Sequence, residues 1–189
     1  MDATKRVICI GGPTGAGKDT ITSLFLRDET RFIRVPRSTT RSPRPDEING
    51  VHYNFLSRQE FDTRENAGEI CAVDEFLGHR YGIDIQKILA SLERGENVIG
   101  IFGVCSLGLR SLLKEYVALV YIRAPIEVLT DRLVKRGDSQ GEIERRIEVA
   151  KRQLAEEPGH FDYVIENGGL IGKAVEELRQ LIIGRRYQL

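Results

Sequence analysis

The stretch GGPTGAGKDT, residues 11–20, constrains the fold of this chain more than any other. The apolar run RVICI, residues 6–10, predicts a buried strand directly before it, and the residues from Lys18 onward predict a helix. Gly12, four further residues and then Gly17-Lys18 match most of the phosphate-binding pattern G-x-x-x-x-G-K-[ST]. Backbone N–H groups, the helix N-terminus and the lysine can together hold phosphate oxygens. The predicted phosphate-binding residues are Gly12, Pro13, Thr14, Gly15, Ala16, Gly17, Lys18, Asp19 and Thr20.

Asp19 departs from the pattern, because it stands where a serine or threonine normally offers a hydroxyl to magnesium. A carboxylate beside phosphates is repelled unless a cation lies between them. We therefore expect Asp19 to bind Mg²⁺ directly or through a water molecule, with Thr20 as a possible substitute. The alternative is that Asp19 only caps the helix.

Strand and helix patterns alternate along most of the remaining chain. The predicted strands are residues 32–35, 69–76, 97–102, 117–122 and 161–167, and the predicted helices are residues 57–66, 85–94, 106–116, 126–136, 139–157 and 170–183. This alternation predicts an α/β fold with a parallel β-sheet core flanked by helices. Residues 36–82 break the alternation and are predicted to form an insertion.

The composition excludes several classes of protein. The 189 residues include 28 Lys plus Arg and 28 Asp plus Glu, and a neutral chain is a poor candidate for sequence-independent nucleic-acid binding. No segment approaches the roughly 20 apolar residues of a membrane span. The three cysteines form no CxxC pair and the three histidines are scattered, which argues against a metal site built on them. We expect a soluble, cytoplasmic protein.

Residues 34–44 hold four arginines, Arg34, Arg37, Arg41 and Arg44, in a segment whose prolines and Thr-Thr pair exclude a helix. The following residues are rich in acid, so the charge is separated locally within a neutral chain. Guanidinium groups form planar, two-pronged hydrogen bonds with phosphate. This pattern indicates a basic pocket for a phosphate group; the alternative is a solvated, salt-bridged loop.

The segment TTRSPRPDEINGVHYNF, residues 39–55, resembles the acceptor-binding segment of the guanylate kinase family, TTR-x-PR-x-x-E-x-x-G-x-x-Y-x-F. The matching residues are Thr39, Thr40, Arg41, Pro43, Arg44, Glu47, Gly50, Tyr53 and Phe55. Further matches are Tyr81-Gly82, RLVKRG (132–137), ERRI (144–147) and FDYVIEN (161–167), so the resemblance covers nearly the whole chain.

The resemblance implies a single domain, residues 1–189, with three parts. These are a P-loop kinase core (1–35, 83–131 and 159–189), an acceptor-binding insertion (36–82) and a helical lid (132–158). It also implies in-line phosphoryl transfer from ATP with Mg²⁺ to a nucleoside monophosphate, GMP being the family default.

The resemblance also assigns roles to individual residues. The residues that match the acceptor's phosphate site are Arg41, Arg44, Tyr53 and Tyr81. Lys18, Arg136 and Arg146 match catalytic positions, the two arginines reaching the transferring phosphoryl group from the lid. Arg132 is a weaker lid candidate. Arg146 also lies four residues after Glu142, so a helix surface pair is its alternative role.

The residues with which the family reads guanine are absent. Ala72 replaces a glutamate, Ile83 a hydroxyl residue, Ile101 and Gly103 two aspartates, and Arg37 a serine. Losing two carboxylate contacts, each about 1.5–3 kcal/mol, removes much of the preference for guanine. We therefore expect a phosphate-bearing small-molecule acceptor, a nucleoside monophosphate or a sugar phosphate, without strong guanine specificity. Arg37 joins its predicted binding residues and favours a second negative charge.

Two further interpretations stay open. Ribose 1,5-bisphosphate phosphokinases also carry Asp after the P-loop lysine, but they lack the GVHYNF segment, residues 50–55. Some guanylate-kinase-like domains are non-catalytic binding modules, which typically lose the P-loop lysine and lid arginines that this chain retains. The sequence does not indicate the oligomeric state.

Overall fold

The computed structural model describes residues 6–183. Residues 1–5 and 184–189, with the predicted helix stop at Gly184, lie outside the described part. Strands and helices confirm the predicted α/β class, a parallel sheet core flanked by helices. The chain divides into two compact units: the first contains the residues up to Cys9 and Glu29–Ala118, and the second contains Ile10–Asp28 and the residues from Leu119 onward.

The nine strands among the described residues are β1 (Val7–Gly11), β2 (Phe32–Arg34), β3 (Arg37–Thr39), β4 (Tyr53–Phe55), β5 (Ile70–Phe76), β6 (His79–Asp84), β7 (Asn97–Ile101), β8 (Val117–Arg123) and β9 (Tyr163–Glu166). The seven α-helices in the same range are α1 (Lys18–Asp28), α2 (Arg58–Asn66), α3 (Ile85–Glu93), α4 (Cys105–Leu113), α5 (Ile126–Lys135), α6 (Gln140–Glu156) and α7 (Ile171–Ile183).

Among the parallel strands, β1, β7 and β8 are the most buried. In the first unit β2 pairs with β7 in parallel, and β7 lies beside the start of β1. In the second unit the end of β1 lies beside β8, which pairs with β9 in parallel. All of β1 and the first six residues of β8 are buried. Continuous apolar runs are what a parallel strand covered on both faces requires.

The predicted insertion contains a second sheet, with strand order β4-β3-β6-β5, inside the first unit. β3 pairs in parallel with β4, and β6 runs antiparallel to both β3 and β5. The strands β3, β4 and β6 are absent from the prediction. This sheet carries most of the acceptor-binding candidates.

The predicted caps fix several helix ends. At α2 the Ser57 hydroxyl accepts from the Glu60 N–H, and the Glu60 carboxylate accepts from the Ser57 N–H. At α3 Asp84 accepts from the Lys87 N–H at 3.1 Å. The predicted helix 106–116 is wrong at its end: α4 stops at Leu113, and a 3₁₀ turn follows because Lys114 has φ +46°.

Each helix buries one side and leaves the other in water. In α5 and α6, for example, the buried residues are Leu129, Leu133, Ile143 and Ala150. Within residues 6–183, no helix combines the length and the apolar character that a membrane crossing requires.

Candidate active site

The phosphate-binding loop runs from the end of β1 to the start of α1, in the second unit. Gly12 has φ +126°, and a Cβ there would lie 2.0 Å from the Ile122 carbonyl oxygen. Gly17 has φ +88°, and its Cβ would lie 2.4 Å from Nδ2 of Asn167. Both glycines are therefore required by space as well as by backbone conformation. The loop with its helix N-terminus matches the predicted phosphate site.

Lys18 points back across this loop. Its Nζ donates to the carbonyl oxygens of Gly12 and Pro13, each at 2.7 Å. These bonds hold the ammonium group against the first residues of the loop. The geometry suits the predicted role of Lys18.

Two residues hold the loop from behind, and the sequence analysis gave neither of them this role. Arg132 on α5 donates to the carbonyl oxygens of Gly15 at 3.0 Å and Asn167 at 2.8 Å. Asn167, just after β9, donates from Nδ2 to the Ala16 carbonyl at 2.7 Å. In a planar trans peptide the C=O and N–H groups point in opposite directions. Holding the Ala16 carbonyl therefore turns the Gly17 N–H the other way.

Asn167 also presents a buried acceptor. Its Oδ1 has no hydrogen-bond partner within the described part of the chain. A buried amide oxygen without a donor is unfavourable by about 1–3 kcal/mol, so it is a candidate contact for a bound nucleotide. The motif FDYVIEN, residues 161–167, contains Asn167, but only the fold shows what it faces.

Asp19 and Thr20 lie exposed in the first turn of α1. The described residues contain no cluster of three or more His, Cys, Asp or Glu side chains that could hold a metal. Magnesium in kinases needs no such cluster, because one or two protein oxygens suffice when phosphates and water fill the other positions. The exposed carboxylate and hydroxyl fit that arrangement.

The two arginines predicted for the lid, Arg136 and Arg146, meet at one carboxylate. Arg136, at the end of α5, donates from Nε to Asp138 Oδ1 at 2.7 Å. Arg146 on α6 has its Nε 3.2 Å from Asp138 Oδ2, and its Nη2 3.8 Å from Glu142. The predicted pair is therefore brought together, and the alternative surface pair of Arg146 with Glu142 is present as well. Asp138, which the sequence analysis missed, holds two like charges side by side.

Arg41 belongs to the first unit and is held by Glu47. Its Nη2 lies 2.7 and 2.9 Å from the two carboxylate oxygens of Glu47. Its guanidinium also lies 5.3 Å from the ring centre of Tyr53 and 5.5 Å from that of Phe55. Burial alone would raise the pKa of Glu47, but its hydrogen bonds from Arg41 and from the Arg44 N–H outweigh this, and the pKa is lowered. Glu47 is therefore a charged support for the arginine segment.

Arg44, Tyr53 and Tyr81 complete the predicted phosphate site. The Arg44 N–H donates to Glu47 at 2.8 Å, and its side chain is 37% exposed, so its guanidinium can still meet a ligand. The Tyr53 and Tyr81 rings pack edge to face with their centres 6.0 Å apart. β-sheet register puts Arg37, Tyr53 and Tyr81 on one face of the second sheet.

Arg37 is the least exposed of the predicted arginines, with 12% of its side chain accessible. Its Nη1 donates to the Phe102 carbonyl at 2.9 Å and to the Cys105 sulfur at 3.3 Å. Its guanidinium lies 4.7 Å from the centre of the Tyr81 ring. Gly103 leaves space beside it: a Cβ at Gly103 would lie 3.6 Å from Nη1. Arg37 therefore lies next to Gly103, one of the two positions at which the family resemblance predicts an aspartate.

The other residues that differ from the family pattern are apolar, and the structure buries them fully or in part. Ile83 is fully buried, and Ile101 and Ala72 are half-buried. None of the three offers a side-chain hydrogen bond. The guanine-reading side chains expected from the family resemblance are therefore absent from these positions.

The model of the family described as Guanylate kinase matches residues 4–184. The chain is 36% identical to a guanylate kinase of Streptomyces coelicolor, over 88% of this chain and 85% of that protein. It is 35% identical to a guanylate kinase of Wolbachia sp. subsp. Brugia malayi, over 96% and 94% of the two chains.

Among solved structures, the guanylate kinase of Anaplasma phagocytophilum has a TM-score of 0.78 at 19% identity, covering 100% of this chain and 89% of that one. A shikimate kinase from Acinetobacter baumannii has a TM-score of 0.53 at 17% identity, covering 98% and 97%. These two likenesses concern the fold. The family match and the relatives above 30% identity, which span nearly the whole chain, place this protein in the guanylate kinase family.

Proposed function

We propose that this ATP-dependent kinase transfers the γ-phosphoryl group of ATP to the phosphate of a nucleoside monophosphate, with GMP as its acceptor. The observation that carries the proposal is the arginine segment. Glu47 orders Arg41 and the Arg44 backbone beside Tyr53, as a phosphate clamp requires. The relatives named guanylate kinase support GMP as the acceptor.

The donor is proposed to bind in the loop of residues 12–20. Backbone N–H groups and Lys18 would hold the β- and γ-phosphates, while Arg132 and Asn167 keep the loop in its binding conformation. Magnesium, bound to the phosphates and to Asp19 or Thr20, would supply charge neutralisation.

In the reaction, an oxygen of the acceptor phosphate attacks the γ-phosphorus. A bond forms between that oxygen and phosphorus, and the bond from phosphorus to the β–γ bridging oxygen breaks, leaving ADP and a nucleoside diphosphate. Arg136 and Arg146 would neutralise charge on the transferring group, and residues 132–158 are proposed to act as the lid that delivers them. A single such arginine is worth about 10³- to 10⁵-fold in rate.

The sequence-based hypothesis of a doubly anionic acceptor has a weaker basis than GMP. Asp74 lies 3.7 Å from Arg37 and offsets its charge, so a second anion would meet a carboxylate as well as a guanidinium. The sugar phosphate alternative therefore serves as a comparison in the test. No contact supports the alternative of a non-catalytic binding module. Such modules typically lose the P-loop lysine, whereas Lys18 is present here and hydrogen-bonds within the loop.

Coupled measurement of ADP release with MgATP, across GMP, AMP, UMP and ribose 1,5-bisphosphate, tests the proposal. We expect the highest kcat/KM with GMP. Lys18→Met should reduce it by about 100-fold or more, because two charged phosphate contacts are lost. Equal or higher turnover of ribose 1,5-bisphosphate by the wild-type protein would overturn the choice of acceptor.

A further inference from the structure

In the first unit, the side chains of Arg37 and Asp74 face each other, and each has a buried polar atom without a hydrogen-bond partner. Arg37 Nη1 lies 3.7 Å from Asp74 Oδ1, an ion pair without a hydrogen bond. Within residues 6–183, neither Arg37 Nε nor Asp74 Oδ1 has a hydrogen-bond partner, although both atoms are buried. Buried donors and acceptors are nearly always paired, so such a donor and acceptor side by side indicate a place for a ligand.

The position of Asp74 depends on an irregularity in β5. The strand register shifts between Cys71, which pairs with Ile83, and Asp74, which pairs with Tyr81. Alternation along a regular strand would put residues 71 and 74 on opposite faces, whereas the extra residue puts both on the face of Tyr81. Ala72 lies within this bulge and adopts φ +49°. The bulge thus turns Asp74 toward Arg37.

The neighbours of the pair leave its charges balanced. Burial raises the pKa of Cys105 to about 12, so the thiol, which lies beside both Arg37 and Asp74, is neutral. Tyr81 lies against the guanidinium and Ile83 is apolar. The pair therefore offers one strong donor and one strong acceptor with no surplus charge, and it favours a neutral group that carries an acceptor next to a donor.

We propose that Arg37 and Asp74 read the base of the acceptor nucleotide, Arg37 donating to guanine O6 and Asp74 accepting from guanine N1–H and the 2-amino group. This inference rests on the proposed function, since it concerns the same acceptor. Guanine carries O6 directly beside N1–H, and arginine is the usual partner of guanine's O6 and N7 in nucleic-acid recognition. The two residues take over the task of the missing family side chains from different strands.

The same pair rejects adenine. At the corresponding edge adenine presents an amino donor where guanine has O6, and an acceptor where guanine has N1–H. The donor would face Arg37 and the acceptor would face Asp74, so both protein groups would stay unpaired. A site built for hydrogen bonds discriminates strongly against a base that cannot form them.

Tyr81 links this pair to the phosphate site. Its ring packs against Arg37 on one side and lies near Tyr53, which in turn lies beneath Arg41. The base-reading pair and the phosphate-binding arginine thus share one face of the second sheet. One nucleotide can engage both from that face.

Steady-state kinetics with GMP, IMP and AMP at saturating MgATP separate the two contacts. IMP retains O6 and N1–H but lacks the 2-amino group. The wild-type protein should prefer GMP over IMP by about 10-fold or more, and Asp74→Asn should bring that ratio close to one. Arg37→Leu should lower kcat/KM for GMP and IMP together, by about 10- to 100-fold relative to AMP. Glu75→Gln, an exposed neighbour in β5, should keep the wild-type ratios.

The ratio of kcat/KM between two acceptors does not depend on the fraction of folded protein, so a destabilised variant still tests the proposal. An unchanged GMP-to-IMP ratio in Asp74→Asn would overturn the role of Asp74. Equal loss with all three acceptors in Arg37→Leu would overturn that of Arg37. Absence of turnover with every nucleoside monophosphate in the wild-type protein would refute the proposed function, and this inference with it.

Discussion

Glu47 provides a sharp test of how the phosphate site is organised. Its carboxylate is only 9% exposed and accepts from Arg41 Nη2 with both oxygens and from the Arg44 N–H. Glu47→Gln keeps the shape but removes the charge, and it turns one acceptor into an amide donor. In one orientation the new donor faces Arg41 alone, and in the other it faces both Arg41 and the Arg44 N–H, so at least one hydrogen bond is lost in either case.

The expected effect follows from the strength of such contacts. A hydrogen bond to a charged group contributes about 1.5–3 kcal/mol, which corresponds to about 10- to 150-fold. Because the proposed role of Arg41 is to bind the acceptor's phosphate, the loss should raise KM for GMP by about 10- to 100-fold. KM for ATP should change by less than about 3-fold, since the contacts that fix the donor loop involve other residues.

Initial rates measured over a matrix of GMP and ATP concentrations give both constants. Asp46→Asn is the matched control, because it removes the same charge from the adjacent, exposed residue. Its constants should equal those of the wild-type protein. An unchanged KM for GMP in Glu47→Gln, or an equal rise in both KM values, would refute the reasoning.

Three further outcomes are expected. Because folding lowers the pKa of Glu47, its carboxylate stabilises the folded state at pH values above its unfolded pKa of about 4.3. Thermal melts at a series of pH values should therefore show the full Tm difference between wild type and Glu47→Gln near pH 6. This difference should shrink as the pH falls below about 4. Asn167→Leu removes one neutral hydrogen bond to the donor loop and should raise KM for ATP by about 3- to 10-fold while leaving KM for GMP unchanged in the same rate assay. Asp138→Asn removes the charge that holds Arg136 and Arg146 together, so it should lower kcat by about 10-fold with small changes in KM. Single-turnover and steady-state rates measure this effect, and a raised kcat would contradict the proposed role of Asp138.

Short sequence patterns are sufficient to predict the first strand, turn and helix of the fold. The run RVICI, the following glycines and Lys18 specify a strand, a tight turn and a helix start within 13 residues, 6–18, and the structure has all three. Ser57 with Glu60, and Asp84, satisfy helix N–H groups a few residues away, so their effect is visible in a short window. Such features depend on neighbours in sequence and are predictable from them.

The remaining site depends on contacts between distant residues. Arg132 reaches Gly15, 117 positions earlier, and no local pattern encodes that pairing. The bulge that turns Asp74 toward Arg37 includes Ala72 at positive φ, where a glycine would have been the usual signal. Asp74 lies two positions after Ala72, where the family pattern has a glutamate, so the pattern assigns it no role, and the irregularity in β5 is visible only in the fold.

A crystal structure of the protein with GMP bound would show directly which residues bind the phosphate and the base. We expect the GMP phosphate between Arg41 and Arg44, O6 within hydrogen-bond distance of Arg37, and N1 and the 2-amino group within that distance of Asp74. A guanine ring hydrogen-bonded by other side chains, with Arg37 and Asp74 paired only to each other, would contradict it.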